Sequence, residues 1–528
     1  MKRSRYHDYF IHTAPEFLHG ILTGIVVGAL IFLFRLAAEK LTEFSRQIYA
    51  AVRAEPLFIP LLFIGLILCA LAMALLHRYA PSAKGGGIPR SEGILRGILP
   101  LRAGRTLLAT LGGSFLSFFC GLPLGSEGPS VLSGTAAAHL TGRLTKKDRE
   151  AKDRYVMTGG ACAGFGVATG SPVSAILFAL EEVHKRFTPM LLIVTSAAVL
   201  SATAVSRMLC QLCGLSPALF TISDLPDLAL ADIGYVFLAA LAVSLAVFLF
   251  DLSVSAFNRC TRTRLHKIPH ALRLVIVFCL TGLIGLFAVD ALFGGTGIIL
   301  ALLENQKTTL WIALLFVIRF VMMVLVSNSG ATGGIFVPTL ALGALVGGLS
   351  ARLFVLIGMD PSHAPLIILL AMAAFMGGTM RAPLTALVFF IEVTAQYENL
   401  FFVAIAVFLV YFLTEIFNRT SFYDLLLEAM EEDEHQGKTP QIGRFELHVC
   451  PGAFVIGKAV RDVLWPHSAI VTSITRADKD TPSLDNGGEK KMYEGDTITI
   501  KVQFYDEDEL RTRLASLTGK DAPILRLS

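Results

Sequence analysis

Charge is what this sequence has least of. Asp, Glu, Lys and Arg make up 16% of its 528 residues, against 54% hydrophobic ones, and the mean hydropathy is +0.65. Soluble globular domains carry about 25% charged residues, so a wholly soluble chain is excluded. The net charge of +4 is small and the basic residues are spread from loop to loop, which argues against a nucleic-acid partner. Cysteine and histidine, 8 and 12 in number, are dispersed too. The one close pair, Cys210 and Cys213, has no second pair or histidine cluster with which to complete a zinc site. Buried thiols are the simpler reading, and no metal, cofactor or enzymatic chemistry is expected. No cleavable leader is expected: Asp8 and Glu16 precede an apolar run long enough to span, so the first helix is expected to stay.

What the chain does have is long apolar runs. Residues 57–76, 235–250, 274–289, 311–326 and 401–413 each approach the ~20 residues that a bilayer-spanning helix needs. The stretches 121–134, 161–180, 333–348 and 371–391 are interrupted by Gly and Pro and cannot all be simple spans. A broken helix is tolerated in a membrane where protein or a watery cavity covers its unpaired backbone groups, so many breaks point to a pathway. Most of the 46 glycines read more plainly as close helix packing. Basic loops at 84–105, 143–154, 185–186 and 259–267, with Lys2, Arg3 and Arg5, place these connections and both termini in the cytoplasm.

Two halves of the sequence resemble each other. Setting Pro172 on Pro383 aligns Ala175, Phe178 and Glu181 with Ala386, Phe389 and Glu392. Pro129 and Gly134 align with Pro338 and Gly343 at about the same separation. Such duplication, with the halves in opposite orientation, is common in transporters.

Three Gly/Pro-rich openings carry the chemistry: Gly85-Gly86-Gly87-Ile88-Pro89, Gly125-Ser126-Glu127-Gly128-Pro129 and Gly333-Gly334-Ile335-Phe336-Val337-Pro338. Each reads as a helix start with proline in its first turn. A helix N-terminus offers unpaired N–H groups and about half a positive charge, and glycine lets an anion approach the backbone. Several such ends meeting in the membrane would hold an anion without a full charge that would slow its release. Turn-shaping alone accounts for any one motif; three together favour an anion site.

These openings resemble the signature motifs of the CLC family of chloride channels and proton-coupled chloride transporters, over roughly residues 17–430. The resemblance implies an all-α polytopic membrane protein, a homodimeric CLC-type inverted-repeat bundle of tilted and broken helices. It also implies a resident of a bacterial-type inner membrane, in contact with lipid, that exchanges chloride or a similar small anion for protons. Glu127 matches the gating glutamate, Ile335 and Phe336 match positions whose amides bind the anion, and Tyr423 matches the tyrosine whose hydroxyl does so from the inner side. Gly86, Gly87, Ile88 and Gly128 complete the implied anion-binding set. Glu182 matches the internal proton-transfer glutamate of the family's antiporters. Taken without the family, Glu127 is an ordinary N-terminal helix carboxylate, Tyr423 an interfacial tyrosine and the Glu181–Glu182 pair a solvated helix end. A passive channel of the same fold and a ligand-responsive regulator that has lost transport are the competing readings.

Two departures from the family pattern bear on selectivity. Gly86 stands where serine is usual, which opens fluoride or nitrate preference as an alternative, and Ser126 stands where arginine is common. After residue 430 the composition changes: 431–444 reads as a charged linker behind a membrane domain at 17–430 and a cytoplasmic segment at 1–16. The remainder, 445–528, reads as a small α+β cytoplasmic domain. Strands are expected at 445–450, 469–475 and 496–504, and helices at 458–464 and 506–516. This part resembles the TrkA-C domain of ion transporters, which implies a small-molecule ligand or dimer contact; a plain stabilising cap is the alternative.

Overall fold

The computed structural model describes all residues except 1, 146–149, 218, 221, 223–224, 265–266, 305–306, 418–419, 477–478, 484–487, 520–521 and 528. Among the described residues, eight helices are long and apolar enough to cross a membrane, from Ala14–Ala54 to Pro361–Met380. Their surroundings differ. The Pro361–Met380 segment is 83% buried within the protein and Pro56–Tyr79 only 22%, so the former is interior and the latter presents its apolar side chains outward, as lipid requires.

The breaks expected from the sequence appear as helix boundaries. One helix, Glu150–Thr169, ends before Gly170 and Ser171, and a new one starts at Pro172. Ala364–Met380 ends before Arg381 and Ala382, and Pro383–Thr394 follows. The stretch 333–348 differs from expectation. Once past Gly333 and Gly334 it continues as Phe336–Leu356, a helix of spanning length that carries Gly343, Gly347 and Gly348 within it.

The duplication is visible as geometry. Glu181 accepts hydrogen bonds from the amides of Leu384 (2.9 Å) and Thr385 (2.7 Å), at the start of the Pro383 helix. Its repeat mate Glu392 accepts from the amides of Val173 and Ser174, both 2.8 Å, at the start of the Pro172 helix. Each glutamate thus caps the other repeat's helix, which requires the two helices to run antiparallel. The halves are inverted, as expected.

Small residues pack the rest. A Cβ on Gly24 would lie 2.2 Å from the Ala198 carbonyl oxygen, so the first helix sits backbone to backbone on Pro189–Cys213. Arg319, fully buried in the Thr309–Ser329 helix, donates to the carbonyls of Ala291, Leu292, Phe293 and Gly294 at 2.8–3.2 Å. Those carbonyls belong to a left-handed turn at Phe293 and Gly295 that no helix satisfies.

The C-terminal part has its own core. Strands β1 (Gln441–His448), β2 (Ile470–Arg476), β3 (Lys479–Ser483), β4 (Thr497–Phe504) and β5 (Ile524–Arg526) form an antiparallel sheet in the order β3-β2-β4-β1-β5. Along β4, Ile498, Ile500, Val502 and Phe504 are buried in alternation, the period of two read from the sequence. The helix Glu507–Thr518 follows. The helix expected at 458–464 is only a short 3-10 turn, Val460–Asp462. There the amides of Val460 and Arg461 bond to the carbonyls of Lys490 and Gly488, a pairing that competes with helix. The expected linker at 431–444 is helical as far as Glu434, in Phe422–Glu434, and β1 begins at Gln441.

The sheet is docked on the helical part. Arg154 donates to the carbonyls of Leu464 (2.8 Å) and Trp465 (3.2 Å) in the soluble part and of Leu95 (2.8 Å) in the helical part. The Tyr155 hydroxyl bonds the Asp462 carbonyl and the Leu464 amide, and Arg513 bonds the Gly97 carbonyl.

Candidate functional site

The helices Gly87–Arg96, Glu127–Thr145 and Phe336–Leu356 share one feature: proline is the third residue of each, as Pro89, Pro129 and Pro338. Proline suits a first turn because its missing N–H would have no partner there. The amides just before it also lack an i−4 acceptor.

These three starts touch through their backbones. Gly125 and Gly334 exchange two hydrogen bonds of 2.7 Å. A Cβ on Gly87 would stand 2.0 Å from the carbonyl oxygen of Gly128, and one on Gly128 would stand 2.8 Å from the Cα of Gly334. Glycine is required at both positions for approach of this kind. Gly86 differs: the nearest atoms to a Cβ there would be Ile335 and Pro89 carbons, at 3.5 and 3.6 Å, an ordinary contact. Serine would fit.

Glu127 is the first residue of its helix and only 2% exposed. Its carboxylate folds back over Gly125, whose Cβ would lie 2.2 Å from Oε2. Oε1 accepts the Ser126 hydroxyl at 3.3 Å, and the carboxylate faces its own amide and that of Val337. Oε2 has no hydrogen-bond partner. Ile88, Ile335 and Phe336 are buried alongside. The Phe336 ring is held edge-on between Phe165 (5.0 Å) and Phe389 (5.5 Å), and Phe165 stacks on Phe178 at 4.9 Å. This aromatic wedge fixes the third opening.

Tyr423 lies in the first turn of Phe422–Glu434, a helix capped by the Ser421 hydroxyl accepting the Asp424 amide at 3.1 Å. The ring is 1% exposed and its hydroxyl finds no partner. It lies within electrostatic reach of Glu92, Glu182 and Glu127. A buried phenol without a partner is costly in an apolar interior, so an acceptor that comes and goes is the natural complement to it.

Glu182 follows the Pro172–Phe178 helix in a π-helical turn, Ala179–Val183, a distortion that often accompanies function. It is fully buried and neither carboxylate oxygen is hydrogen-bonded. Its sequence neighbour Glu181 is the helix cap described above. The adjacent pair therefore divides into a structural carboxylate and an unsatisfied one.

The structure brings Gly87, Gly128 and Gly334 together at the start of the Glu127 helix, sets Gly86 against Ile335 and buries Ile88, Ile335 and Phe336, while Tyr423 and Glu182 lie toward the end that carries the sheet. It adds residues that were not anticipated. Glu92 is 1% exposed with both oxygens lacking hydrogen bonds, and Arg96 lies 3.8 Å from it. A signal for both was present: Arg90, Ser91, Glu92 and Arg96 crowd a ten-residue helix, and polar side chains at membrane depth are seldom idle.

The family described as voltage gated chloride channel matches residues 68–415. The chain belongs to the CLC, voltage gated chloride channel family. The H(+)/Cl(-) exchange transporter ClcA of Vibrio cholerae is 29% identical over 392 residues, 72% of this chain and 81% of that protein. The ClcA protein of Salmonella paratyphi B is similar to the same extent. A solved slow cyanobacterial Cl-/H+ antiporter has a TM-score of 0.73 at 26% identity, covering 80% of this chain and 99% of its own. A CLC-type fluoride/proton antiporter, at TM-score 0.64 and 21% identity over 78% of this chain and 98% of its own, shares the fold. The CLC match ends before Tyr423 and the sheet. This CLC protein is a multi-pass integral membrane protein of mostly helical architecture.

Proposed function

We propose that this chain is a secondary active transporter exchanging chloride, or a similar small anion, for protons. One observation carries the reading: three helix starts meet through their backbones beside Glu127, while another buried acid, Glu182, stands unsatisfied on the side of the sheet. Partial positive charge at the helix starts holds an anion loosely enough to release it. The Glu127 carboxylate competes for that place as an anion and leaves it when protonated. Protons reach Glu127 from Glu182, and anions pass Tyr423, whose hydroxyl donates one hydrogen bond without adding charge. Relatives named as H(+)/Cl(-) exchangers support the reading.

The basic loops support a cytoplasmic C-terminus, because Gly97, Arg154 and Arg262 all contact residues beyond 428, Arg262 through the Ala429 carbonyl at 2.9 Å. By the positive-inside rule that side is cytoplasmic, in a bacterial-type inner membrane. The face bearing the reciprocal caps leaves Val173, Leu384, Phe408 and Phe412 exposed. It is pseudo-symmetric and apolar, as a homodimer contact would be. The sheet is read as the regulatory, TrkA-C-like unit over 445–528, open to a small-molecule ligand.

The test is flux in proteoliposomes. A chloride gradient should drive protons uphill; current without proton movement would mean a channel, and neither would mean a regulator. Competition by fluoride and nitrate in the same vesicles ranks the anions.

A further inference from the structure

Arg96 closes the helix whose first residues form one of the three openings, and ten residues of helix set the two ends ~15 Å apart. Its side chain is 15% exposed and engaged in three directions. Nε donates to the Val183 carbonyl at 2.8 Å, one terminal nitrogen to the Glu182 carbonyl at 2.8 Å, and the other to Asp424 Oδ1 at 3.1 Å. Outside this, Lys185 bonds Asp424 Oδ2 at 2.8 Å and the Ser421 hydroxyl reaches the same oxygen at 2.9 Å. Three segments far apart in sequence therefore end on one cation: the turn that carries Glu182, the first turn of the helix that carries Tyr423, and the helix of the first opening.

We propose that Arg96 is a positioning residue for exchange, holding the backbone of Glu182 in register with Tyr423 so that proton and anion movements depend on each other. The inference rests on the exchange reading above.

The physical case starts from the π turn. Its closing bonds run from His184 to the Ala179 carbonyl and from Arg186 to the Leu180 carbonyl, which leaves the Glu182 and Val183 carbonyls at a helix end without helical donors. A guanidinium suits such an end electrostatically. Two carbonyls held by one planar group fix the peptide that bears Glu182, so its carboxylate can move only by rotating its own side chain. Asp424 adjoins Tyr423, so the third arm sets the height of the phenol. Lysine could satisfy one of these directions but not all three, because its ammonium is a point charge on a flexible stem.

The experiment compares full-length variants in proteoliposomes by the number of protons moved per chloride. Arg96→Gln should lower that ratio about tenfold, the effect of losing one charge-assisted hydrogen bond. Arg96→Lys should recover part of it. A merely structural arginine would reduce both fluxes together and leave the ratio at the parent value, which would overturn the proposal, as would a ratio unchanged with both fluxes intact. If Arg96→Gln yields no monodisperse protein, Asp424→Asn decides: the carbonyl contacts remain, the Tyr423 arm is loosened, and the ratio should fall about threefold. An unchanged ratio there overturns the proposal. A parent chain that moves no protons sinks the exchange reading and this inference together, whereas an exchanging parent with an unaltered Arg96→Gln ratio sinks the inference alone.

Discussion

The helices beginning at Pro172 and Pro383 and those beginning at Gly87, Glu127 and Phe336 present the same electrostatic problem, and the molecule closes the first pair while leaving the other three open. At the closed ends a carboxylate from the opposite repeat receives two amides at 2.7–2.9 Å, a permanent anion built into the chain. At the open ends Glu127 faces its own amide and that of Val337, and its Oε2 is unpaired among the described residues. The attraction of a helix N-terminus for negative charge thus serves two purposes. Where the anion is tethered at the far end of a packed helix it locks the inverted halves together. Where the acid sits on a helix's own first residue it can swing away, and a mobile ion can replace it.

Substitutions at the two kinds of helix end should separate these roles. The largest effect is expected at the open ends: Glu127→Gln should cut coupled proton flux by about 100-fold or more, as loss of an essential proton carrier does, measured as chloride-driven acidification of vesicles. At the closed ends, Glu181→Gln should lower stability by about 2 kcal/mol through its charge-assisted bonds. Thermal unfolding in detergent reads that loss, and the proton-to-chloride ratio of the surviving protein should not change. A change in the ratio would erase the distinction between the two classes of carboxylate. Beside it in sequence, Glu182→Gln should do the opposite, lowering proton flux about tenfold with little change in melting temperature. Tyr423→Phe removes a hydroxyl that no group among the described residues bonds, so chloride affinity alone should weaken, about fivefold for one neutral hydrogen bond, by isothermal titration. Smallest of all, Gly86→Ser fits the available space and should raise preference for chloride over nitrate by about two- to threefold, a fraction of one hydrogen bond.

The sequence made some of this legible and hid the rest for identifiable reasons. Proline in each first turn marked the three openings, because proline lacks the N–H that has no partner there. The match of Glu181 to Glu392 marked the duplication, yet not the reciprocal capping, since an alignment states equivalence and not contact. Glu181 and Glu182 were indistinguishable as text; the π turn at Ala179–Val183 sends one to an amide pair and the other into the interior. The 3-10 turn at Val460–Asp462 was read as helix because its amides pair with residues some thirty positions later, beyond the reach of local periodicity.

Composition alone determined that this chain lives in lipid, and the spacing of Gly, Pro and apolar runs determined that its helices are broken and duplicated, because backbone pairing and hydrophobic length are local demands. Which breaks face one another, which carboxylates are satisfied, and how Arg96 joins residues 182, 183 and 424 were decided only by tertiary structure. Those contacts depend on the packing of distant segments, and a charge in low dielectric takes its meaning from whatever the fold sets beside it.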